Sequence, residues 1–262
     1  MLRLRVRKNM ALALGRDVPK EAEKLYFKRL GWYLSNALAV FHCGVDASGV
    51  FDQIDIGESI SVLDAALAEG RGAVLISPHW CGHELFAAHV NRKYPMAFLV
   101  RQAPSAERMA RKLKWYNALG AEILLRPSRA STIKDAVAYL NILKRGKLLA
   151  ITPDLLTDAP HGIAARLFGR QTRLHGGAFV IAIAAGVPMI YASVEWQSNS
   201  RVRLFFERVP DPPTSCDRAT AARIALENWC DWFERKLQTH PENWLFWLDK
   251  RWSRFLRTQS YG

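Results

Sequence analysis

Apolar runs and helix-forming segments alternate along the middle of this chain, and this alternation constrains the fold more than any other feature. Short runs rich in Val, Leu and Ile predict buried strands at residues 73–77, 96–101, 121–125 and 147–152. Helical patterns lie between them at residues 83–92, 105–118 and 130–144. Strands that alternate with helices build parallel sheets with helices on their faces. The sequence therefore predicts a single α/β domain with a mostly parallel central sheet flanked by helices.

Further helices and strands are expected on either side of this core. Helical patterns fall at residues 20–42, 58–69, 176–185 and 218–239, a short strand at 163–168, and a hairpin at 187–196 with 201–209. The apolar face at 20–42 fits either a lipid surface or the core, and core burial is the commoner outcome. We expect residues 46–262 to form the α/β domain and residues 1–45 a basic arm with a membrane-proximal helix.

The first sixteen residues are basic and contain leucines at regular intervals. Arg3, Arg5, Arg7 and Lys8 precede any acidic residue and are interleaved with Leu2 and Leu4. Such a segment suits an anionic membrane surface, although an ordinary exposed first element has the same composition. Its beginning alternates with a period of two, so the pattern does not decide between helix and extended chain.

The overall charge limits the kinds of partner. The 262 residues include 37 Lys and Arg against 24 Asp and Glu, a formal charge of +13. This balance favours a polyanion: nucleic acid, anionic lipid or an acidic carrier protein. No helix-turn-helix or RNA-binding aromatic signature is present, so nucleic acid is not the expected partner. The four cysteines have no CxxC spacing, which is typical of reduced thiols in the cytoplasm.

A histidine and a carboxylate stand five positions apart at a predicted strand-to-helix turn. His79 and Glu84 follow the strand at residues 73–77 and open the next helix. A histidine can take a proton from a hydroxyl when a carboxylate fixes its tautomer and stabilises the imidazolium. A turn between the two residues would bring Glu84 back onto His79. A histidine satisfied in a loop, with Glu84 as a helix-start charge, is the structural alternative.

A metal site is the second chemical reading of the same stretch. His79, Cys81, His83, Glu84 and His89 are close in sequence, as in a metal-dependent hydrolase. The spacing is His-Glu-x4-His, however, and not the His-Glu-x-x-His that places two imidazoles on one helical face. We therefore expect no metal.

Other charged residues fall where the predicted strands end. Arg101 and Arg126 end two strands and Asp154 follows a third, at the same sheet edge as His79, where α/β proteins bind ligands. We expect these three residues in substrate binding, the arginines as anion ligands. Asp154 as an ordinary loop or cap residue is about as probable when taken alone. Arg111, with its neighbours Lys112 and Lys114, lies on a predicted helix.

Several of these residues belong to short motifs that occur in a fixed order. They are His79-Trp-Cys-Gly-His-Glu84, Phe98-Leu99-Val100-Arg101, the run from Gly120 to Arg126, Leu143-Lys144-Arg145-Gly146-Lys147 leading to Asp154, Leu167-Phe168-Gly169, and Pro241-Glu242-Asn243-Trp244 with Trp247 and Arg251. In this combination the chain resembles the lipid A biosynthesis (lauroyl/myristoyl) acyltransferase family of the lysophospholipid acyltransferase superfamily. The resemblance covers about residues 20–255.

The resemblance implies transfer of a fatty acyl group from a thioester of acyl carrier protein or coenzyme A. The amphiphilic acceptor would be a hydroxyl or amine of a lipid A precursor or similar glycolipid, with an aminolipid or secondary metabolite as the alternative. His79 would be the general base and Glu84 its orienting carboxylate. Arg126, with Arg101 or backbone amides, would stabilise the oxyanion or hold an acceptor phosphate, and Arg111 is one candidate for gripping the acceptor.

The resemblance also implies a location and a cofactor requirement. We expect a peripheral protein on the cytoplasmic side of the inner membrane. No covalent acyl-enzyme is expected, because no activated nucleophile stands in the motif. No cofactor other than the thioester co-substrate of acyl carrier protein or coenzyme A is expected either.

Overall fold

A seven-stranded sheet forms the centre of the protein. The computed structural model describes residues 2–126, 133–159, 162–198, 200–212 and 215–258, with the side chains of residues 126, 133 and 134 left out. The strands of the sheet are β1 (Ile54–Asp55), β2 (Ala73–Ile76), β3 (Met96–Arg101), β4 (Glu122–Arg126), β5 (Leu148–Ile151), β8 (Met189–Trp196) and β9 (Val202–Arg208). The sheet order is β1-β9-β8-β2-β5-β3-β4, and every neighbouring pair is parallel except β8 and β9.

Helices cover this sheet, which confirms the predicted α/β class. They are α1 (Leu2–Leu14), α2 (Lys20–Ala37), α3 (Ser48–Phe51), α4 (Ser61–Ala68), α5 (His83–Asn91), α6 (Ala106–Asn117), α7 (Ile133–Lys144), α8 (Gly177–Ala185), α9 (Arg218–Thr239) and α10 (Lys250–Phe255). A π-helical turn, Leu38–His42, continues α2, and 3-10 turns occur at Glu58–Ile60, Pro241–Asn243 and Leu245–Leu248.

The predicted core strands all form, each within one or two residues of its expected bounds. Strand β2 is buried throughout because it lies between β5 and β8 in the sheet. Gly72 precedes it with φ +68, and a Cβ there would meet the Lys147 carbonyl oxygen at 2.6 Å. Only glycine fits this close approach of two chain segments.

Of the two strands in a second, smaller sheet, the sequence predicted only the first. The expected strand at residues 163–168 forms β6 (Ile163–Leu167), and it pairs antiparallel with β7 (Arg170–Leu174). The turn between them, Phe168 and Gly169, has φ +54 and +69, as two-residue hairpin turns require. The polar alternation of β7, RQTRL, has too few apolar residues to mark a strand by periodicity.

The N-terminal segment is an α-helix packed on the body of the protein. Val6, Met10 and Leu14 are buried at helical spacing in the same hydrophobic core as the sheet. Burial of this stripe outweighs the local period-two alternation of charge. Arg3 lies 4.0 Å from Glu23 and its guanidinium carbon lies 5.9 Å from the Phe27 ring centroid, so the start of α1 runs beside α2.

Most of the apolar face predicted for α2 also enters the core. Tyr26, Tyr33, Ala37 and Phe41 are buried, whereas Leu34 is 47% exposed. Within the described part of the chain, no helix has the length and hydropathy needed to cross a bilayer.

Candidate active site

The loop that follows β2 carries His79 and is held by the C-terminal part of the chain. The backbone N–H of Cys81 donates to the Asn243 carbonyl at 2.7 Å, and that of Leu245 donates to the His79 carbonyl at 2.9 Å. Gly82 ends the loop with φ +102, a conformation that side chains rarely adopt. The loop therefore has one defined path from β2 into α5.

His79 is bonded to Asp154. Its Nδ1 lies 2.7 Å from Asp154 Oδ1, and its backbone N–H donates to Oδ2 at 2.9 Å. The strand register explains the contact, since Ile76 of β2 pairs with Ile151 of β5 and each site residue lies three positions further on. Two loops that leave adjacent parallel strands at the same level bring their side chains together.

The Asp154 carboxylate is buried and strongly hydrogen-bonded. It is 0% exposed, and the Trp244 indole N–H also donates to Oδ2, at 2.8 Å. Burial by itself raises the pKa of this carboxyl group, but the His79 ring and the three donated hydrogen bonds outweigh it and hold the pKa below its usual value. An ionised Asp154 accepts a hydrogen bond from the N–H at Nδ1 of His79. The ring proton is therefore on Nδ1, and the lone pair of the imidazole is on Nε2.

Glu84 makes a different set of contacts. Its Oε2 accepts hydrogen bonds from the Tyr33 hydroxyl at 2.7 Å and from the Trp115 indole N–H at 2.9 Å. Burial, followed by the nearby Glu84, raises the pKa of Tyr33 and of Tyr116, so both phenols remain protonated. Within the described residues, no hydrogen bond joins Glu84 to His79. The carboxylate that orients the imidazole is therefore Asp154. The expected contact between Glu84 and His79 does not form, and Glu84 is hydrogen-bonded to α2 and α6 instead.

A second imidazole, that of His83, stands beside the first. The ring centroids of His79 and His83 are 4.8 Å apart, and His83 Nδ1 is 3.2 Å from the Trp80 carbonyl oxygen. Because a carbonyl only accepts, this contact assigns the proton to Nδ1. Desolvation lowers the pKa of His83 to about 4, so this ring is neutral at pH 7. The Phe246 ring also packs against the His79 ring, with ring centroids 4.4 Å apart.

These side chains line an apolar cavity of about 110 Å³. Its titratable lining residues include His79, His83 and Glu84, and the hydroxyl groups of Ser77, Tyr116, Thr152 and Ser193 add to the polar part. Most of the remaining wall is apolar, and it includes Leu75, Phe86, Val90, Phe98, Val194, Leu204 and Phe206. The cavity lies between the sheet and α5. Such a site accommodates an alkyl group and presents one nitrogen base to it.

The predicted basic residues are less central than His79. Arg101 is exposed at the end of β3, and its backbone oxygen accepts a hydrogen bond from the Lys112 ammonium at 2.7 Å. Arg126 ends β4 opposite Arg101, and its side chain lies outside the described residues. Arg111 is exposed on α6 and pairs with Glu107 at 3.4 Å. Of the described side chains, neither Arg101 nor Arg111 is part of the cavity wall.

The metal interpretation gains no support from the geometry. Across the described residues, no three His, Cys, Asp or Glu side chains converge as metal ligands do. His89, one of the candidate metal ligands close to His79 in sequence, packs on Phe51 with ring centroids 5.0 Å apart.

The sequence did not predict the three aromatic residues that donate hydrogen bonds to the site carboxylates: Tyr33, Trp115 and Trp244. Trp244 appeared only within a C-terminal motif, and it reaches Asp154 across 90 positions of sequence. Tyr33 fell within a predicted apolar helix face. A local sequence pattern contains no signal for contacts between residues that are so far apart in the sequence.

Comparison with known proteins shows the family of the chain. The sequence model for the bacterial lipid A biosynthesis acyltransferases matches residues 2–254, nearly the whole chain. No curated protein sequence matches the chain significantly. The matched region includes His79, Glu84, Asp154 and the C-terminal block that supports them. Because the match extends over α1 to α10, the chain belongs to the bacterial lipid A biosynthesis acyltransferase family.

Proposed function

We propose that the protein transfers a fatty acyl group from an acyl thioester of acyl carrier protein or coenzyme A. The acceptor is a hydroxyl or amine of a lipid A precursor or a similar glycolipid. The observation that carries the proposal is the His79–Asp154 pair, whose Nδ1 and Oδ1 atoms are 2.7 Å apart, with His79 in the wall of an apolar cavity. Membership of an acyltransferase family supports the same reaction class.

The reaction begins with proton removal by His79. Nε2 takes the proton of the acceptor O–H or N–H as that atom attacks the thioester carbonyl, and the imidazole becomes positively charged. Asp154 stabilises this charge through Nδ1, and the nearby Glu84 carboxylate favours it through space. The tetrahedral intermediate then expels the thiolate, and the imidazolium returns the proton to the sulfur. No covalent acyl-enzyme forms.

The negative oxygen of the tetrahedral intermediate requires hydrogen-bond donors. Arg126, Arg101 beside it in the β3–β4 pairing, and backbone amides are the candidates that the sequence and the register supply. Arg111 and its neighbours on α6 are candidates for holding an acceptor phosphate.

Replacement of the base tests the proposal. His79→Ala should lower transfer of a radiolabelled acyl group at least about 1000-fold, because general-base catalysis is lost. The matched control is His42→Ala, an exposed histidine outside the cavity. Circular dichroism of both variants checks the fold. Undiminished transfer by a folded His79→Ala variant would remove the basis of the mechanism.

The acceptor is identified by a second measurement. Mass spectrometry of lipids from cells with and without the gene should reveal one missing acyl chain on a lipid A precursor or similar glycolipid. If the missing chain belongs to an aminolipid or a secondary metabolite, the mechanism stands and the acceptor assignment fails.

A further inference from the structure

Residues 250–257, which form the C-terminal helix α10 and the turn after it, carry a dense group of cations. They include four Lys or Arg and no Asp or Glu, and all four cationic residues are exposed: Lys250, Arg251, Arg254 and Arg257. Lys250, Arg254 and Arg257 stand at positions i, i+4 and i+7, so they lie on one face of the helix. The helical rise places them in a row about 10 Å long.

This row lines an open cleft between α10 and α1. The cleft has a volume of about 510 Å³ and is lined by Arg5, Lys250, Ser253, Arg254, Arg257 and Thr258. Four of these six residues are cations, and no described residue of the lining is acidic. We call this group the basic cleft.

The charges of the basic cleft are largely uncompensated within the protein. Asp249, the nearest acidic residue in the sequence, accepts from the first backbone N–H groups of α10, and its Oδ1 lies 3.7 Å from Nε of Arg251. Among the described residues, no carboxylate forms an ion pair with Lys250, Arg254 or Arg257. Unpaired cations at this density favour an anionic partner.

Contacts beneath the basic cleft hold it in one shape. Trp252 and Leu256 are buried, and Arg5 donates to the Ser253 hydroxyl from Nε at 3.2 Å and from Nη2 at 3.0 Å. Asn9, one turn further along α1, donates to the same hydroxyl at 2.8 Å. A surface that is already ordered loses less conformational entropy when it binds a partner.

Helix α10 also adjoins the proposed catalytic pair. The Trp252 indole N–H donates to the Asp154 carbonyl oxygen at 3.3 Å, and the Asp154 carboxylate is bonded to His79. The cations therefore lie on the outer side of a helix whose inner side contacts the site. Because the basic cleft and the cavity share no lining residue, a partner can occupy the cleft and leave the cavity open.

We propose that the basic cleft docks the acyl carrier protein that supplies the acyl thioester, through carboxylates on the surface of the carrier. This inference rests on the proposed function, in which the carrier is one of the two donors. Acyl carrier proteins are acidic and hold the acyl group on a flexible prosthetic arm, so docking at α10 leaves the arm to reach His79. Each guanidinium can hold a carboxylate through two hydrogen bonds, and a row about 10 Å long matches carboxylates on successive turns of one helix.

Two other anionic partners fit the basic cleft less well. A bilayer surface binds helices that insert large apolar side chains beside their cations. None of the eight exposed large apolar residues in the described part of the chain lies on α10 or lines the cleft. A single phosphate group requires cations that converge on one point, whereas Lys250 and Arg257 stand about 10 Å apart along the helix.

Carrier binding in the absence of acceptor tests the docking directly. Titration calorimetry with acyl carrier protein measures the Kd at roughly 0.15 M ionic strength, where the screening length is about 8 Å and remote charges contribute little. Arg254→Glu/Arg257→Glu should raise the Kd about tenfold or more, because two attractions become repulsions. Arg254→Lys/Arg257→Lys keeps both charges and should raise the Kd about threefold at most.

Steady-state transfer provides the second measurement. The Arg254→Glu/Arg257→Glu variant should lose about tenfold or more in kcat/KM with the acyl carrier protein donor. With a neutral short thioester of the same acyl group, kcat/KM should change less than about twofold, because that donor has no charged surface to dock.

The matched control is Arg218→Glu/Arg223→Glu, which makes the same change in net charge at two exposed arginines of α9. It should bind the carrier like the wild type, and thermal unfolding checks that all the variants are folded. An unchanged Kd in the folded Arg254→Glu/Arg257→Glu variant would overturn the docking, as would an equal loss of binding in the control.

Two further outcomes separate the docking from its alternatives. An equal loss of kcat/KM with both donors would overturn the docking and assign the basic cleft to the acceptor. Wild-type protein that transfers from a coenzyme A thioester but does not bind the carrier would overturn the docking and leave the proposed function intact.

Discussion

At the scale of single residues, the position of one proton on His79 depends on Asp154. The carboxylate accepts from Nδ1, from the His79 backbone and from Trp244, so all its contacts favour the ionised form. Glu84 lines the same cavity but is bonded to Tyr33 and Trp115. We therefore expect the two carboxylates to have separable effects on activity.

Asp154→Asn should lower kcat at least about 100-fold, because an amide can donate to Nδ1 and drive the proton onto Nε2. Transfer kinetics over a pH series measure this, and the control is Asp158→Asn in the following loop, which is exposed. Glu84→Gln should lower kcat less. If Glu84→Gln is inactive while Asp154→Asn is fully active, the two roles are reversed.

His83 should make folding stability depend on pH. The folded-state pKa is lowered to about 4, whereas an unfolded histidine has a pKa of about 6.5. Between these values the unfolded chain binds the proton and the folded chain does not, so stability falls as the pH drops through this window. Urea unfolding at pH 7 and pH 5 should show that His83→Gln removes about 1–2 kcal/mol of this loss. Identical pH dependence in both proteins would contradict the assignment of a neutral His83.

At the scale of elements, helices α1 and α2 brace the C-terminal turns that support the site. Asn9 donates to the Trp247 carbonyl at 2.8 Å, and the Tyr26 hydroxyl donates to the Leu245 carbonyl at 2.9 Å. Arg29 pairs with Glu242 at 2.9 Å, with both side chains less than 10% exposed. Since this C-terminal block also holds the His79 loop and Asp154, the first helices support the candidate site through packing.

Arg29→Ala should cost about 3–5 kcal/mol in the free energy of unfolding, because it leaves Glu242 buried without its cation. Chemical denaturation measures the loss. The double variant Arg29→Met/Glu242→Leu removes both charges and should lose less than Arg29→Ala alone. If the double variant is no more stable than Arg29→Ala, the loss of stability in Arg29→Ala does not come from the uncompensated charge of Glu242.

At the scale of the whole molecule, the net charge of +13 affects association more than folding. Acyl carrier proteins are acidic, so attraction should accelerate their encounter with this enzyme. The value of kcat/KM for an acyl carrier protein donor should therefore fall about tenfold between low and high ionic strength. A neutral short thioester of the same acyl group serves as the control, and its kcat/KM should change little. Equal salt dependence for both donors would contradict steering by charge.

The elements of the sheet could be predicted from the sequence because their patterns are local. Short apolar runs mark β2 to β5, and a glycine precedes each of them except β3. The position of His79 after β2 places it at the carboxyl edge of the sheet. The helical state of residues 2–14 could not be predicted, because the charges alternate with period two and only burial of Val6 and Met10 against the core selects the helix.

The sequence by itself determined the α/β class, the loop that carries His79 and the motifs that indicate the family. Only the tertiary structure decided which carboxylate serves the histidine. Glu84 is five positions from His79 and Asp154 is 75, yet the contact goes to Asp154. The reason is the sheet order, which places β5 beside β2 with Ile76 opposite Ile151. That pairing arises from packing across the whole chain, and no local pattern contains it.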